Sequence, residues 1–187
     1  MRVPLNILNR VVAAFLLVFL TCATAFAQDT TKLDGLFDRL KTADAGEAGR
    51  IESEIWIEWS KSGSPALDLL LQRGRDAMAL GDVILAIEHF TAIIDQDPSF
   101  AEGWNARATA FYQAGEFGPS VADIAQVLQL NPRHFGAMSG LATILEESGK
   151  PEQALEVYKA ALEIHPQMEG VIAAIERLET QATGQEL

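Results

Sequence analysis

Hydrophobic positions recur along the chain with the three- and four-residue spacing of amphipathic helices. Three short stripes lie near the two ends: Leu33, Leu36, Phe37 and Leu40; Ile51, Ile55, Trp56 and Trp59; Val171, Ile172, Ile175 and Leu178. The first two predict a helical hairpin within residues 28–66, because the turn sequence Ser62-Gly63-Ser64-Pro65 interrupts the chain there. The third predicts a terminal helix within residues 169–187.

Between these stripes the sequence repeats with a period of 34 residues. Five columns share the register: Gly81, Gly115 and Gly149; Pro98, Pro132 and Pro166; Gly74, Ala108 and Ala142; Ala86, Ser120 and Ala154; Phe90, Ile124 and Tyr158. Glycine suits a tight turn, proline ends a helix, and small residues allow two helices to approach closely. The columns therefore predict three helical hairpins, over residues 67–100, 101–134 and 135–168.

This pattern resembles the tetratricopeptide repeat (TPR), a 34-residue helix–turn–helix unit. Several residues stand where that family has them: Trp104, Ala108, Phe111, Gly115 and Pro132. Three residues depart from the family pattern: Ala77 replaces the usual aromatic residue, Arg107 the usual leucine and Ser120 the usual alanine. The resemblance implies an all-α solenoid of three TPR hairpins, with a TPR-like hairpin before it and a capping helix after it. We expect about nine helices and no strands.

The N-terminal hairpin admits two interpretations. Counting back 34 residues from the repeat columns places it in register, with Trp56 in the large-residue column. Leu40 and Glu52, however, stand where the repeats have small residues. The segment is therefore either a degenerate repeat or a hairpin packed at another angle. Trp56 and Trp59 form either its core or a patch for a partner.

The first 27 residues have the order of a secretory signal peptide. Arg2 and Arg10 precede or flank the apolar run Val11–Leu20, and Ala25-Phe26-Ala27 is a small-x-small cleavage site. The run is short for a membrane-spanning helix. We expect cleavage after Ala27 and export to the periplasm, without membrane insertion afterwards. An uncleaved anchor and a lipoprotein modified at Cys22 are the less favoured alternatives.

Composition excludes several classes of function. The 187 residues include 26 acidic and 14 basic side chains, for a net charge of −12. Such a chain is poorly suited to neutralise nucleic-acid phosphates or to adhere to anionic lipid. A single cysteine excludes an internal disulfide framework and a multi-cysteine metal site.

Catalytic and metal-binding motifs are absent from the sequence, including HExxH, CxxC and a glycine-rich phosphate loop. We therefore predict a protein that is not an enzyme and has no cofactor and no metal. His134 and His165 lie beside the repeat-ending prolines, where we expect them to cap helix carbonyls or to meet solvent.

The family resemblance implies that the first helix of each hairpin lines a concave groove. The predicted peptide-binding residues are Arg75, Met78, Asn105, Thr109, Tyr112, Ser139 and Thr143. A co-chaperone subclass grips C-terminal carboxylates with lysine and asparagine. Its clamp positions hold other residues in this chain: Leu71, Arg75, Ala106, Gly136 and Gly140. A receptor for heat-shock-protein tails is therefore not expected.

The sequence thus predicts a periplasmic TPR adaptor or scaffold that binds a protein or peptide partner in its groove. Likeness to small exported TPR proteins of Gram-negative bacteria implies a role in cell-envelope assembly or integrity. The alternative is a structural protein that self-associates or docks through the Trp56/Trp59 hairpin. The partner's identity and the oligomeric state stay open.

Overall fold

The computed structural model describes residues 31–185, and every regular element within that range is a helix. The helices are α1 (31–42), α2 (Ala45–Trp59), α3 (Pro65–Ala79), α4 (Val83–Gln96), α5 (Ala101–Gln113), α6 (Phe117–Leu130), α7 (Phe135–Glu147), α8 (Pro151–Ile164) and α9 (Glu169–Gln185). Among them, none combines the length and apolar character that crossing a membrane requires. The predicted signal peptide, residues 1–27, lies outside the described residues.

Helices α3 to α8 form the three predicted hairpins, α3–α4, α5–α6 and α7–α8. Gly81, Gly115 and Gly149 make the turns with φ of 79°, 76° and 72°, which is the left-handed region that favours glycine. Each second helix ends two residues before a column proline. The predicted all-α TPR solenoid is confirmed.

Contacts between alternate helices give the solenoid its curvature. Helix α5 also approaches α3 and α7, whereas α4, α6 and α8 lie farther from one another. The first helices of the hairpins therefore line the inner, concave side. Close approach within a hairpin depends on the small-residue columns, since a Cβ on Gly74 would lie 2.2 Å from the Phe90 ring.

Two departures from the family pattern have a structural reason. Arg107 donates two hydrogen bonds to Asp123 (2.7 and 2.9 Å) and one to Thr91 (3.1 Å), so it joins α5 to both α6 and α4. Ser120 donates to the carbonyl oxygen of Ala108 at 2.8 Å and so ties α6 to α5. Nothing in the structure explains Ala77 in place of an aromatic residue.

The N-terminal hairpin does not stack ahead of the first repeat, so its description as a degenerate repeat is corrected. Helix α2 instead lies across the concave side. The Ser60 hydroxyl at its end accepts from Arg75 of α3 at 3.0 Å, and Trp56 covers Gly136 of α7. Nearer its start, Glu52 meets His165, which follows α8. Leu40 and Glu52 lack the small size that stacking on α3 requires, whereas the glycine of α7 accommodates a tryptophan ring.

A shared apolar core fixes the hairpin in this position. Phe135, the first residue of α7, is fully buried among side chains from both hairpin helices: Leu36, Phe37, Leu40, Ala43, Ala48, Ile51 and Ile55. Ile164 and Met168 pack against the same cluster. The hairpin is therefore part of the folded unit and joins the third repeat, 75 or more residues away in sequence.

Helix α9 closes the other end of the array. Val171, Ile175 and Leu178 are buried against Tyr158 and Ala154 of α8, as the predicted capping stripe requires. The helix continues to Gln185, within the predicted range of 169–187.

An ion pair between α7 and α9 makes this cap sensitive to acid. Arg177 donates to both oxygens of Glu146 (2.5 and 3.0 Å), which holds the pKa of that carboxyl below its usual value. A lowered folded-state pKa contributes stability above the unfolded pKa, and this contribution disappears as the pH falls through the folded pKa. We expect the corrected amide-exchange protection of α9 to decrease as the pH is lowered from about 6 to about 3.

The control for this prediction is Arg177→Gln, which removes the charged donor. In this variant the exchange protection of α9 should no longer depend on pH as it does in wild type. The pH dependence of the other helices should be unchanged. An identical pH profile for both proteins would contradict the role of the pair.

Candidate functional site

The open part of the concave groove contains a cavity of about 140 Å³ between α5, α6 and α7. Its floor is apolar and consists of Ala108, Ile124, Ala137 and Ile144. Gly136 and Gly140, one turn apart on α7, line its side. A Cβ on Gly140 would lie 3.8 Å from Ile124 of the floor, so this glycine keeps the space open, whereas the side of Gly136 is taken by the Trp56 ring. We call this space the groove cavity.

Four of the predicted binding residues form the polar rim of the groove cavity: Asn105, Thr109, Tyr112 and Thr143. The Tyr112 hydroxyl donates to Glu147 at 2.5 Å, and this bond raises the tyrosine pKa. Thr143 bonds to the carbonyl oxygen of Ser139 (3.0 Å) and to the hydroxyl of Tyr158 (3.1 Å). An apolar floor below a fixed polar rim is the arrangement of a small binding pocket.

Arg75 lies outside the groove cavity and already has an acidic partner. Its guanidinium donates to Glu102 at 2.6 Å and to Ser60 at 3.0 Å. Glu102 is only 3% exposed, and its other oxygen accepts from Asn105 at 3.2 Å. The guanidinium of Arg75, one of the predicted peptide-binding residues, is therefore already paired and not free for a partner's carboxylate. A buried glutamate instead positions both Arg75 and Asn105.

The two histidines are buried, so the expectation that they meet solvent or cap carbonyls is wrong. His134 Nδ1 accepts from the Ala137 backbone amide at 3.1 Å, which caps the start of α7. Its Nε2 then carries the proton and faces Glu102 Oε2 at 3.3 Å. His165 repeats the arrangement, with Nδ1 accepting from the Gln167 amide at 3.4 Å and Nε2 facing Glu52 at 3.3 Å.

Trp56 and Trp59 are turned towards the chain's own groove. Trp59 stacks on His134 with ring centroids 4.2 Å apart, and Trp56 meets the same ring edge-on at 5.3 Å. Both rings also contact Phe135. The two tryptophans of the predicted partner patch thus form the docking surface of the hairpin, where each is half-buried.

The remaining predicted residues also lie apart from the groove cavity. Met78 packs against the core of the first repeat. Ser139 lines a separate, more polar depression beside Glu52 and His165. Among the described residues, no three His, Cys, Asp or Glu side chains come together as a metal site would require.

The feature that opens the cavity, Gly140 on α7, is not among the predictions from the sequence. Its position is interpreted there only as one that cannot hold a carboxylate. A glycine on a groove-facing helix, one turn after Gly136, is the signal that predicts an indentation there. The burial of Glu102 is harder to predict from the sequence, because a buried carboxylate needs partners, and those of Glu102 are distant in sequence.

Comparison with known proteins identifies the array. A family model described as "Tetratricopeptide repeat" matches residues 71–119 and 106–169. The chain belongs to the tetratricopeptide repeat family. A TPR repeat-containing protein of Rhizobium etli is 39% identical over 136 residues, which cover 72% of this chain and 67% of that protein. The small glutamine-rich TPR-containing protein 2 of Saccharomyces cerevisiae is 34% identical over 118 residues, 63% of this chain but only 34% of that protein.

Solved TPR structures have the same fold. The Sgt2 TPR domain of Aspergillus fumigatus aligns with a TM-score of 0.61 at 20% identity, over 66% of this chain and 83% of that domain. The first TPR domain of Spaghetti (RPAP3), bound to an HSP90 peptide, aligns with a TM-score of 0.60 at 21% identity, over 63% and 93%. At these identities the comparison shows a shared fold and nothing more.

Proposed function

We propose that this TPR chain is a non-enzymatic adaptor that holds a segment of a protein partner in its concave groove. One apolar side chain of the partner enters the groove cavity, and the rim residues contact the partner's backbone. The groove cavity carries this proposal, because it combines an apolar floor with Asn105, Thr109, Tyr112 and Thr143 at one opening.

The size of the cavity selects the class of ligand. Pockets for drug-sized molecules and cofactors enclose about 300–1,000 Å³, whereas an apolar cavity of about 150 Å³ admits a benzene ring. At about 140 Å³ the groove cavity has room for one leucine- or phenylalanine-sized side chain. A peptide anchored by such a residue can extend along the groove, where Asn105 offers both a donor and an acceptor.

Related structures support a peptide ligand but not the same peptide. The first TPR domain of RPAP3 was solved with an HSP90 peptide, and the TPR2B domain of yeast Sti1 with an Hsp70 peptide. The HSP90 peptide, SRMEEVD, has three acidic residues among its last four. In this chain Arg75 is already neutralised by Glu102, and the protein carries a net charge of −12. We therefore propose an apolar anchor instead of an acidic tail.

The site of action in this proposal is the periplasm, and the process is cell-envelope assembly or integrity. The order of residues 1–27 supports export, and the bacterial relative supports a bacterial setting. Self-association through the tryptophans is not favoured, since both rings contact the chain's own array.

Filling the groove cavity should abolish partner binding without unfolding the protein. A Cβ on Gly140 would lie 3.8 Å from Ile124, an ordinary contact, so the rest of a leucine side chain can occupy the cavity. We expect Gly140→Leu to weaken binding by about tenfold or more, equivalent to about 1.4 kcal/mol. Helical stability should not decrease, because replacing a helical glycine gains roughly 0.5–1 kcal/mol.

The measurement is affinity capture from periplasmic extract, quantified by mass spectrometry. The matched control is Gly118→Leu, on α6, where a Cβ meets open space. The proposal expects a protein captured by wild type and Gly118→Leu and lost with Gly140→Leu. Equal capture by all three proteins would place the site elsewhere.

A further inference from the structure

One face of α3 exposes large apolar side chains in a regular stripe. Leu69 is 51% exposed and Leu80 is 86% exposed, and Arg73 and Asp76 lie between them on the same face. A helix of 3.6 residues per turn places all four within a sector about 60° wide. Ile84, at the start of α4 and 74% exposed, extends the apolar surface beyond Leu80. We call Leu69, Arg73 and Asp76 of α3, together with Leu80 immediately after it, the edge stripe.

Two positions of the edge stripe, Leu69 and Asp76, have interior equivalents in the later repeats. Counting on by 34 residues gives Gly103 and Ala110, and counting on by 68 gives Ala137 and Ile144; all four are buried. A Cβ on Gly103 would lie 2.8 Å from Ile93 of the preceding repeat. Leu69 and Asp76 therefore lie on the repeat-to-repeat face of the first repeat, which has no neighbour there among residues 31–185. Leu80 extends this face beyond the repeat contact, since its equivalents Ala114 and Ser148 are exposed.

The two ends of the array differ for a structural reason. At the C-terminal end α9 covers the last repeat with Val171, Ile175 and Leu178. At the N-terminal end the hairpin that precedes the first repeat docks in the groove instead of stacking on α3. An exposed leucine on a repeat-stacking face, Leu69, therefore remains at one end only. Contact between two such ends is head to head, which closes a two-fold dimer and leaves no surface for further growth.

The order of residues along the edge stripe is self-complementary. When two α3 helices lie antiparallel about a two-fold axis midway between residues 74 and 75, Leu69 faces Leu80 of the other copy. Arg73 then faces Asp76 of the other copy. Each pair forms twice because of the two-fold axis. Two ion pairs therefore lie at the centre of the contact, with one apolar pair on either side of them. Asp76 accepts a hydrogen bond from Gln72 at 2.8 Å through one oxygen, which leaves the other oxygen for the arginine.

We propose that two copies of this chain associate through the edge stripe, with α3 against α3 about a two-fold axis. The occupant is a second copy because charge complementarity and apolar register are both satisfied by the stripe itself. The interface is small, so the dimer is weak and depends on concentration. The concave grooves of the two copies lie on other faces of α3 and stay open to their partners.

Charge reversal tests this pairing in the purified protein by sedimentation velocity over a range of concentrations. Arg73→Asp and Asp76→Arg each place like charges opposite one another, so each variant alone should stay monomeric where wild type dimerises. The double variant exchanges the two charges and should dimerise as wild type does. An equal mixture of the two single variants should form a heterodimer, since each supplies the charge that the other needs.

Arg50→Asp, an equal change of charge on the exposed side of α2, is the control and should leave dimerisation unchanged. All these positions are exposed, so melting temperatures should agree closely. Wild type that stays monomeric at every concentration would overturn the proposal, including the case in which residues 1–30 of the same chain cover the stripe. Dimers of equal strength in wild type and both single variants would also overturn it.

Discussion

Replacing Phe135 with alanine is expected to release the N-terminal hairpin and to lower the free energy of unfolding by about 3–5 kcal/mol. Phe135 is completely buried, and its ring contacts Trp56, Trp59 and His165 at centroid distances of 5.9, 5.1 and 5.0 Å. Its removal leaves a cavity where the hairpin meets the third repeat. Denaturant unfolding measures the total loss, and amide exchange shows where protection is lost.

The matched control is Phe90→Ala, which removes an equally buried ring from the core of the first repeat. Both variants should lose a similar amount of stability, but only Phe135→Ala should let α1 and α2 exchange at a free energy below that of global unfolding. If the hairpin exchanges equally in both variants, Phe135 does not fix it to the groove.

Removing the Glu102 carboxylate is expected to cost about 2–4 kcal/mol. Glu102→Ala leaves the Nε2–H of the buried His134 without its partner and releases Arg75 and Asn105 from their common acceptor. The lower part of the range applies if Arg75, whose side chain is 40% exposed, turns to water. The cost is measured as the change in the free energy of unfolding.

Glu102→Gln is the control for this prediction, because a glutamine of the same shape retains one acceptor oxygen. It should cost less than half as much as the alanine variant. A cost near zero for Glu102→Gln would contradict this account, because it would mean that only the packing of Glu102 matters and that the hydrogen bonds to its second oxygen contribute nothing. The same network explains why Arg75→Ala is a poor probe of binding, since it would leave a buried carboxylate short of a partner.

The repeat array was predictable because each of its determinants acts locally. Gly81, Gly115 and Gly149 each set their own turn by a positive φ, and the prolines each end their own helix. Gly74 is small because Phe90, only sixteen residues away, needs the space. A fixed period then repeats the same local solution three times.

The position of the hairpin was not predictable by the same reasoning. It depends on the contact between Trp56 and Gly136, which are eighty residues apart in sequence. It also depends on two buried histidines, each of which accepts a hydrogen bond from a backbone amide. The register of Trp56 with the large-residue column indicated stacking, but Leu40 and Glu52 in the small-residue columns argued against it. Four of the seven predicted groove residues nevertheless share one cavity, because position on the first helix alone decides which side chains face inwards.

The most direct test of the account is a methyl NMR titration with a peptide selected on the wild-type protein from a displayed random library. We expect selected peptides to share one required apolar residue, and to shift Ile124 and Ile144 on the cavity floor in wild type but not in Gly140→Leu. Leu80 and Ile84, outside the groove, should not move. Binding that shifts Leu80 and Ile84 while leaving the cavity methyls unchanged would contradict a partner site in the concave groove.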